Sequence, residues 1–545
     1  MNTFDEGQDN IGLMGSMMDR PLIISTFLQY AESEFGEVEI VSSNGGDKPF
    51  RYTYKDLARR SRQLAKALIN MGVGKGDRVA TLAWNTHQHM ELYYAISGIG
   101  AICHTINPRY SEEQITYIIK HAEDKAIFFD RDFSARIKSI PHAVENVQNL
   151  ICLEDTGEAS WSSYEALVDA ETDDFEWPVF SEKTPSSLCY TSGTTGDPKG
   201  VLYSHRSTLL HALVASHRDN LDISSKDIVL PVVPMFHVNA WGIPYVAPIT
   251  GAKLVLPGRY LDGKSLVTLM NKEAVNIAVG VPTIWLGLLD YMKKSKTLLD
   301  TLETIIVGGA AVPKAMVVTF EKEYKIKLIH GWGMTETSPM GSISMIKPSL
   351  DKSLTIDEKI DLKAKQGRAL YGFEMRIVDD KGNVLPKDGD ASGELQVRGP
   401  WVVDTYFKKE QSALEPDDWF ATGDISTIDS NGYMQITDRS KDVIKSGGEW
   451  ISSIAVENAA SDHEDISMAA VIGVPHEKWL ERPLMIAIKK EGAEISEDIL
   501  KAYLASRMPA WWVPDAIVFK NDLPLGATGK IVKRDLRDEY ENFYV

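Results

Sequence analysis

The chain has 545 residues, too many for one hydrophobic core, so two or more domains are expected. Its 43% hydrophobic and 25% charged residues are ordinary for a globular protein and exclude disorder as the default. With 58 basic against 77 acidic residues, the net charge of −19 argues against a nucleic-acid partner, and any anionic ligand must be held by a local cluster of donors and cations.

Residues 1–20 carry acidic side chains early and lack a basic region leading into an apolar core, so they do not read as a signal peptide. Apolar positions at helical spacing predict a helix over 54–71, then a buried strand over 78–84, then helix again over 88–98. Further strands are expected at 126–129, 253–256, 277–279 and 304–307, which together predict an α/β architecture of largely parallel sheets. The most apolar stretch, 230–256, is interrupted by Pro231, Pro234, His237, Asn239, Pro244, Pro248 and Lys253. It reads as buried core, since a spanning helix wants about 20 largely uninterrupted apolar residues.

From 373 to 398 short β segments alternate with turn residues, as in a small β-rich subdomain. A second helix and strand block follows residue 441, with strands expected at 469–474 and 483–488 and a helix at 499–508. The charged, turn-like segment 439–441 is placed as the boundary between a domain of 1–438 and one of 442–545. Cys103, Cys152 and Cys189 form no Cys-x-x-Cys pair, so neither a zinc site nor a disulfide framework is indicated and a reducing compartment fits. The terminal Tyr544-Val545 gives no peroxisomal address.

The most informative segment is 191–200, Thr-Ser-Gly-Thr-Thr-Gly-Asp-Pro-Lys-Gly, after the apolar Leu188-Cys189-Tyr190. Gly193, Gly196 and Gly200 can turn backbone N–H groups onto phosphate oxygens, Thr191, Ser192, Thr194 and Thr195 add hydroxyls, and Lys199 adds a cation after rigid Pro198. Composition alone reads equally as a solvated loop. A competing phosphate motif, 258–265 with Lys264 and Ser265, satisfies the P-loop pattern. Bulky Arg259, Tyr260 and Leu261 and the stiff Pro257 weigh against a P-loop NTPase. Glu336, after Thr335 in a Gly-rich segment, suits Mg²⁺, although an acid complementing a helix N-terminus reads the same way.

The order of 191–200 resembles the phosphate-binding loop of the adenylate-forming superfamily, which includes acyl-CoA synthetases. Gly331-Trp332-Gly333-Met334-Thr335-Glu336, Thr422-Gly423-Asp424, Asp438-Arg439-Ser440-Lys441-Asp442 and Gly526-Ala527-Thr528-Gly529-Lys530 continue the resemblance in the family's order. It implies a large N-terminal domain of layered α/β sheets with a small β-rich subdomain, and a smaller, mobile α+β C-terminal domain. By the same resemblance, Lys530 drives adenylate formation, Lys199 serves the β and γ phosphates, and Glu336 with Thr191 holds Mg²⁺.

The resemblance further implies an ATP site that includes Gly309, Ala310, His330, Gly331, Trp332, Gly333 and Thr335, with Trp332 packing on adenine where most members have Tyr. Asp424 and Arg439 look like the pair that grips ribose. Lys441 matches the hinge about which the C-terminal domain swings, replacing Lys530 with a loop that includes Lys445, Ser446, Gly447, Gly448 and Trp450 and admits CoA. His237, Trp241 and Gly308 fall at the acyl pocket as gate or wall, although a histidine in such an apolar segment is more often a hydrogen-bonded core residue. Residues 234–242 resemble medium-chain fatty acyl-CoA ligases and methylmercaptopropionate-CoA ligases. The expected activity is that of a cytoplasmic acid:CoA ligase using ATP, Mg²⁺ and CoA on a short- to medium-chain carboxylic acid, without a transmembrane segment and compatible with a homodimer. A catalytically silent acyl or nucleotide binder on the same fold is the alternative, against which Lys530 and Glu336 both speak.

Overall fold

The computed structural model describes residues 16–154, 161–191, 197–439, 441–446, 449–526 and 531–544. Alternating amphipathic helices and short apolar runs build two large sheets. One has seven strands, running Ser162–Ser163, Asn149–Cys152, Asp124–Phe129, Arg78–Leu82, Ile102–Thr105, Pro185–Tyr190 and Gly200–Ser204 across the sheet. All neighbours are parallel except the last pair, which forms a hairpin. The other sheet has nine strands, with a parallel centre ordered Lys327–Gly333, Thr304–Val307, Ile277–Gly280, Ile228–Pro231, Lys253–Leu256 and Glu39–Ser42.

Strands covered on both faces need apolar residues at every position, which is why these segments read as continuous runs instead of alternating ones. Ile102–Thr105 and Ile277–Gly280 are buried throughout. The helix Tyr54–Asn70 starts where expected because Thr53 and Asp56 close a capping box, and it buries Leu57, Leu64 and Leu68 along one stripe. The interrupted stretch 230–256 resolves into a strand, a tight turn, the buried helix Ile243–Thr250 and a second strand. Among the described residues no helix is long and apolar enough to cross a membrane.

The β-rich unit extends beyond 373–398. Glu374–Val378 and Ser392–Arg398 are joined by Phe420–Ile428 and Met434–Arg439 in a four-stranded antiparallel sheet. A fourth, five-stranded sheet is built wholly from residues after 443, with Ile466–His476 and Leu480–Lys489 as its long central pair, and it packs the helices Ser453–Ser461, Glu497–Ala505 and Lys533–Tyr540. Parallel strands that share a direction deliver their C-terminal ends to one edge, where open α/β sheets place ligand sites. Here those ends are Tyr190, Val307 and the run from His330 to Gly333.

Candidate active site

The hairpin of Pro185–Tyr190 and Gly200–Ser204 is fastened beyond Tyr190 by Thr191. Thr191 N–H donates to the Lys199 carbonyl at 2.9 Å, and the Lys199 amide donates back to Thr191 Oγ1 at 3.2 Å. Thr191 thus ties the base of the loop. Ser192, Gly193, Thr194, Thr195 and Gly196 lie outside the described residues, as do Gly447, Gly448 and Lys530. The Lys199 ammonium stands 4.7 Å from the centroid of the Tyr406 ring.

Tyr406 is also the partner of Glu336. Its hydroxyl donates to Glu336 Oε1 at 2.9 Å, so one ring touches the phosphate-loop lysine on its face and the candidate metal carboxylate at its tip. Glu336 is 7% exposed, and burial raises its pKa, while Tyr406, Arg439 and Lys199 pull it back. Burial and the same carboxylate push the Tyr406 phenol upward, so it remains a donor. The backbone beside it is pinned twice. Val403 N–H donates to the Glu336 carbonyl and Phe407 N–H to the Gly200 carbonyl, both at 2.8 Å. Tyr203, on the other sheet, gives its hydroxyl to the Thr335 carbonyl at 2.6 Å, joining the two sheets at this edge. Mg²⁺ is commonly held by one or two carboxylates together with substrate phosphates, a donor type that Glu336 fits, and among the described residues no group of three or more His, Cys, Asp or Glu could hold a metal alone.

Asp424 and Arg439 face one another across an antiparallel pair. Arg439 Nε lies 2.7 Å from Asp424 Oδ1, and the indole N–H of Trp332 donates to Asp424 Oδ2 at 3.1 Å. The register shifts between Trp332 and Gly333, and that bulge turns the indole toward Asp424. Trp332 is only 7% exposed and meets Phe373 edge-on, so most of its surface is packed and its clearest contact is to the carboxylate. A Cβ on Gly333 would stand 1.7 Å from the Pro339 carbonyl, which excludes any other residue there. His330 is buried, with its pKa lowered to about 4. Its Nδ1, 3.0 Å from the Ala364 carbonyl, must carry the proton of the neutral ring.

The acyl segment holds the most unusual backbone. Val238, Asn239, Ala240 and Trp241 all have φ between 47° and 56°, and Gly242 follows at 81°. A left-handed turn of four non-glycine residues costs about 1–2 kcal/mol per residue and must be held from outside. Asn239 does much of the holding. Its Nδ2 donates to Ser187 Oγ at 2.9 Å, and the Tyr93 hydroxyl lies 3.3 Å from its Oδ1. The Trp241 indole is thereby laid over Gly308, where a Cβ would be 2.8 Å from the ring and from the Gly331 carbonyl. His237 opens the turn, its N–H bonded to the Pro234 carbonyl.

In the C-terminal sheet, Ile444–Ser446 pairs with Glu449–Ile451, which sets Trp450 in a strand opposite Lys445. Ser446 is buried and accepts from Arg482 at 3.2 Å, while Lys445 is exposed with its amide on Glu481. Lys441 is exposed, and its carbonyl accepts from Arg537 at 3.0 Å. The competing motif is committed elsewhere. Asp262 caps the helix Gly263–Glu273, and Ser265 gives it both its amide and, at 2.6 Å, the hydroxyl that a P-loop would spend on a metal.

Tyr406 and Tyr203 escape a reading of the sequence, and Asn239, although it falls in the candidate acyl segment 234–242, shows no sign there of its anchoring role. Tyr406 lies 207 residues after Lys199 and 70 after Glu336, in a stretch of bends without periodicity, and only its aromatic character marks it.

The AMP-binding enzyme family matches residues 29–407, and its C-terminal domain matches residues 455–530. The chain belongs to this family of enzymes. It is 48% identical to a 3-methylmercaptopropionyl-CoA ligase of Ruegeria lacuscaerulensis, over 97% of this chain and 99% of that one. It is 46% identical to a medium-chain-fatty-acid–CoA ligase of Ectopseudomonas oleovorans, over 97% and 98% of the two chains. The crystal structure of the anthranilate CoA ligase AuaEII with anthranoyl-AMP shares the fold, with a TM-score of 0.85 at 23% identity over 96% of this chain and 98% of that one.

Proposed function

We propose that the protein is an ATP-dependent acid:CoA ligase that joins a short- to medium-chain carboxylic acid to AMP, releases pyrophosphate, and then passes the acyl group to CoA. The observation that carries this reading is that Lys199 and Arg439, from different sheets, both act on the Glu336 carboxylate, Lys199 from across the Tyr406 ring and Arg439 while paired with Asp424. Attack of a carboxylate on the α-phosphorus brings together two anions, so cations must flank the reacting centre. Lys199 meets the departing phosphates. Glu336 holds Mg²⁺, which neutralises phosphate charge, and Asp424 with Arg439 fixes the ribose. Lys530 serves the α-phosphate and the carboxylate, and a swing of the C-terminal domain about Lys441 then exchanges it for the loop around Trp450 and CoA.

For the acid, the relatives favour 3-methylmercaptopropionate or a medium-chain fatty acid, and the indole over Gly308 favours a pocket of limited depth. Three free, buried cysteines suit the reducing cytoplasm. The test is AMP and pyrophosphate production across straight-chain acids of increasing length, with 3-methylthiopropionate included. ADP and orthophosphate without AMP would refute the reading.

A further inference from the structure

An active site that contains both a cation and an anion has a problem of its own. Lys199 and Glu336 act on the same ATP in the proposed function, and their opposite charges attract each other. A lysine has four rotatable bonds, so nothing in its own chemistry prevents it from folding onto the carboxylate and closing the site. Among the described residues the two make no ion pair. Between them stands Tyr406.

We propose that Tyr406 is a positioning residue that keeps the phosphate-loop lysine and the metal-site carboxylate apart and aims both at the triphosphate. The inference rests on the roles given above to Lys199 and Glu336. The ring face offers the ammonium a cation–π seat at 4.7 Å. That seat is weaker than an ion pair, so phosphate displaces it readily. The hydroxyl holds one carboxylate oxygen at 2.9 Å and leaves the other side of Glu336 for a cation. The geometry of Tyr406 itself is set by backbone bonds on either flank, from Val403 to Glu336 and from Phe407 to Gly200, so the spacer is built into both walls of the site it spaces. Those bonds do not depend on the Tyr406 side chain, and side-chain variants keep the strap.

Two substitutions divide the two contacts. Tyr406→Phe keeps the ring face and removes the hydroxyl, and Tyr406→Leu removes both. Binding of Mn²⁺·ATP, followed by electron paramagnetic resonance without acid or CoA, reads the site independently of turnover. Tyr406→Phe is expected to weaken binding about tenfold, the usual scale for a hydrogen bond to a charged group, and Tyr406→Leu to weaken it further. The KM for MgATP should rise while the KM for the acid and the melting temperature stay near wild type. Adding Tyr406→Phe to Glu336→Gln should cost nothing more, because the hydroxyl then has no charge to aim.

Wild-type Mn²⁺·ATP affinity in Tyr406→Phe, or losses that multiply in the double variant, would overturn the inference. Equal increases in both KM values together with a lower melting temperature would also overturn it, as the mark of a merely structural residue. Glu336→Gln and Lys199→Met separate the layers. If they lose affinity and Tyr406→Phe does not, only the spacer falls. If they bind normally, the site assignment falls and the spacer with it.

Discussion

Ser453 donates its hydroxyl to Asp438 Oδ1 at 2.9 Å, and Lys441 stands between them in the chain. Lys533 donates to the same Ser453 oxygen at 2.6 Å and pairs with Glu457 at 2.7 Å. Asp438 belongs to the antiparallel subdomain, whereas Ser453, Glu457 and Lys533 belong to the C-terminal unit. Burial raises the pKa of both carboxyls, and Lys533 offsets it. The swing proposed about Lys441 would part Asp438 from Ser453 and break the bond between them, whereas Lys533, Ser453 and Glu457 would move together.

Ser453→Ala should therefore release the orientation that holds this bond. Arg439 and Lys441 are tryptic sites, and their cleavage should speed up by about threefold to tenfold, the scale of one lost hydrogen bond. Under the proposed swing, which gives each half-reaction its own orientation, the ratio of adenylation rate to thioester-forming rate should shift with it. If limited proteolysis and the rate ratio both match wild type, the contact is incidental.

Glu336 links function to a stability cost. Its folded pKa lies above the ordinary 4.5, so below that pH the carboxyl is protonated in both states and costs nothing. As pH rises from there toward the folded value, the unfolded chain ionises first and stability falls. Above the folded value the whole penalty is present. Ligand-free Glu336→Gln should thus melt about 2–4 °C higher than wild type near neutral pH, with the gain fading toward pH 4.5. AMP formation by the same variant should drop by about a hundredfold. Calorimetry at two pH values checks the first part, and an equal gain at both would exclude a buried ionised carboxylate as its cause.

Trp332 makes its clearest contact through its N–H, to Asp424. Trp332→Phe keeps an aromatic ring and removes that bond, so the KM for ATP should rise about fivefold to tenfold with little change in the KM for the acid. Trp332→Tyr should behave similarly unless its hydroxyl finds Asp424. Steady-state kinetics with each substrate varied in turn would show this, and an unchanged KM for ATP would mean that the indole bond does not order Asp424.

The parts of this molecule that a sequence displays are those set by local chemistry. Ile277–Gly280 and Thr304–Val307 announce themselves because doubly covered strands admit only apolar residues, and the Tyr54–Asn70 helix because Thr53 and Asp56 cap it. The loop at 191–200 stands out in the chain because it gathers small residues and donors in one short run, as the proposed phosphate site would require. Residues 258–265 show the limit of that legibility, since only the bond from Ser265 to Asp262 reveals a helix cap in place of a phosphate site. Tyr406 shows another limit. Its role is defined by two residues on distant segments, and no spacing in the chain encodes their meeting. The left-handed turn at 238–242 is hidden for the opposite reason, because only Gly242 in it is a residue that favours such a backbone.

That turn carries the last expectation. Trp241 covers Gly308 because Asn239, held by Ser187, fixes a backbone that Val238, Ala240 and Trp241 would not adopt alone. Trp241→Ala removes the indole without touching the anchor, and the freed space lies against Gly308 at the end of the strand Thr304–Val307. The relative kcat/KM for a longer over a shorter straight-chain acid should rise by about tenfold or more, since each buried CH₂ is worth about 0.8 kcal/mol. Asn239→Ala should blur selectivity instead, because the turn relaxes and the indole loses its fixed place. A chain-length profile for Trp241→Ala that overlays wild type would mean that the wall of the acyl pocket is built elsewhere.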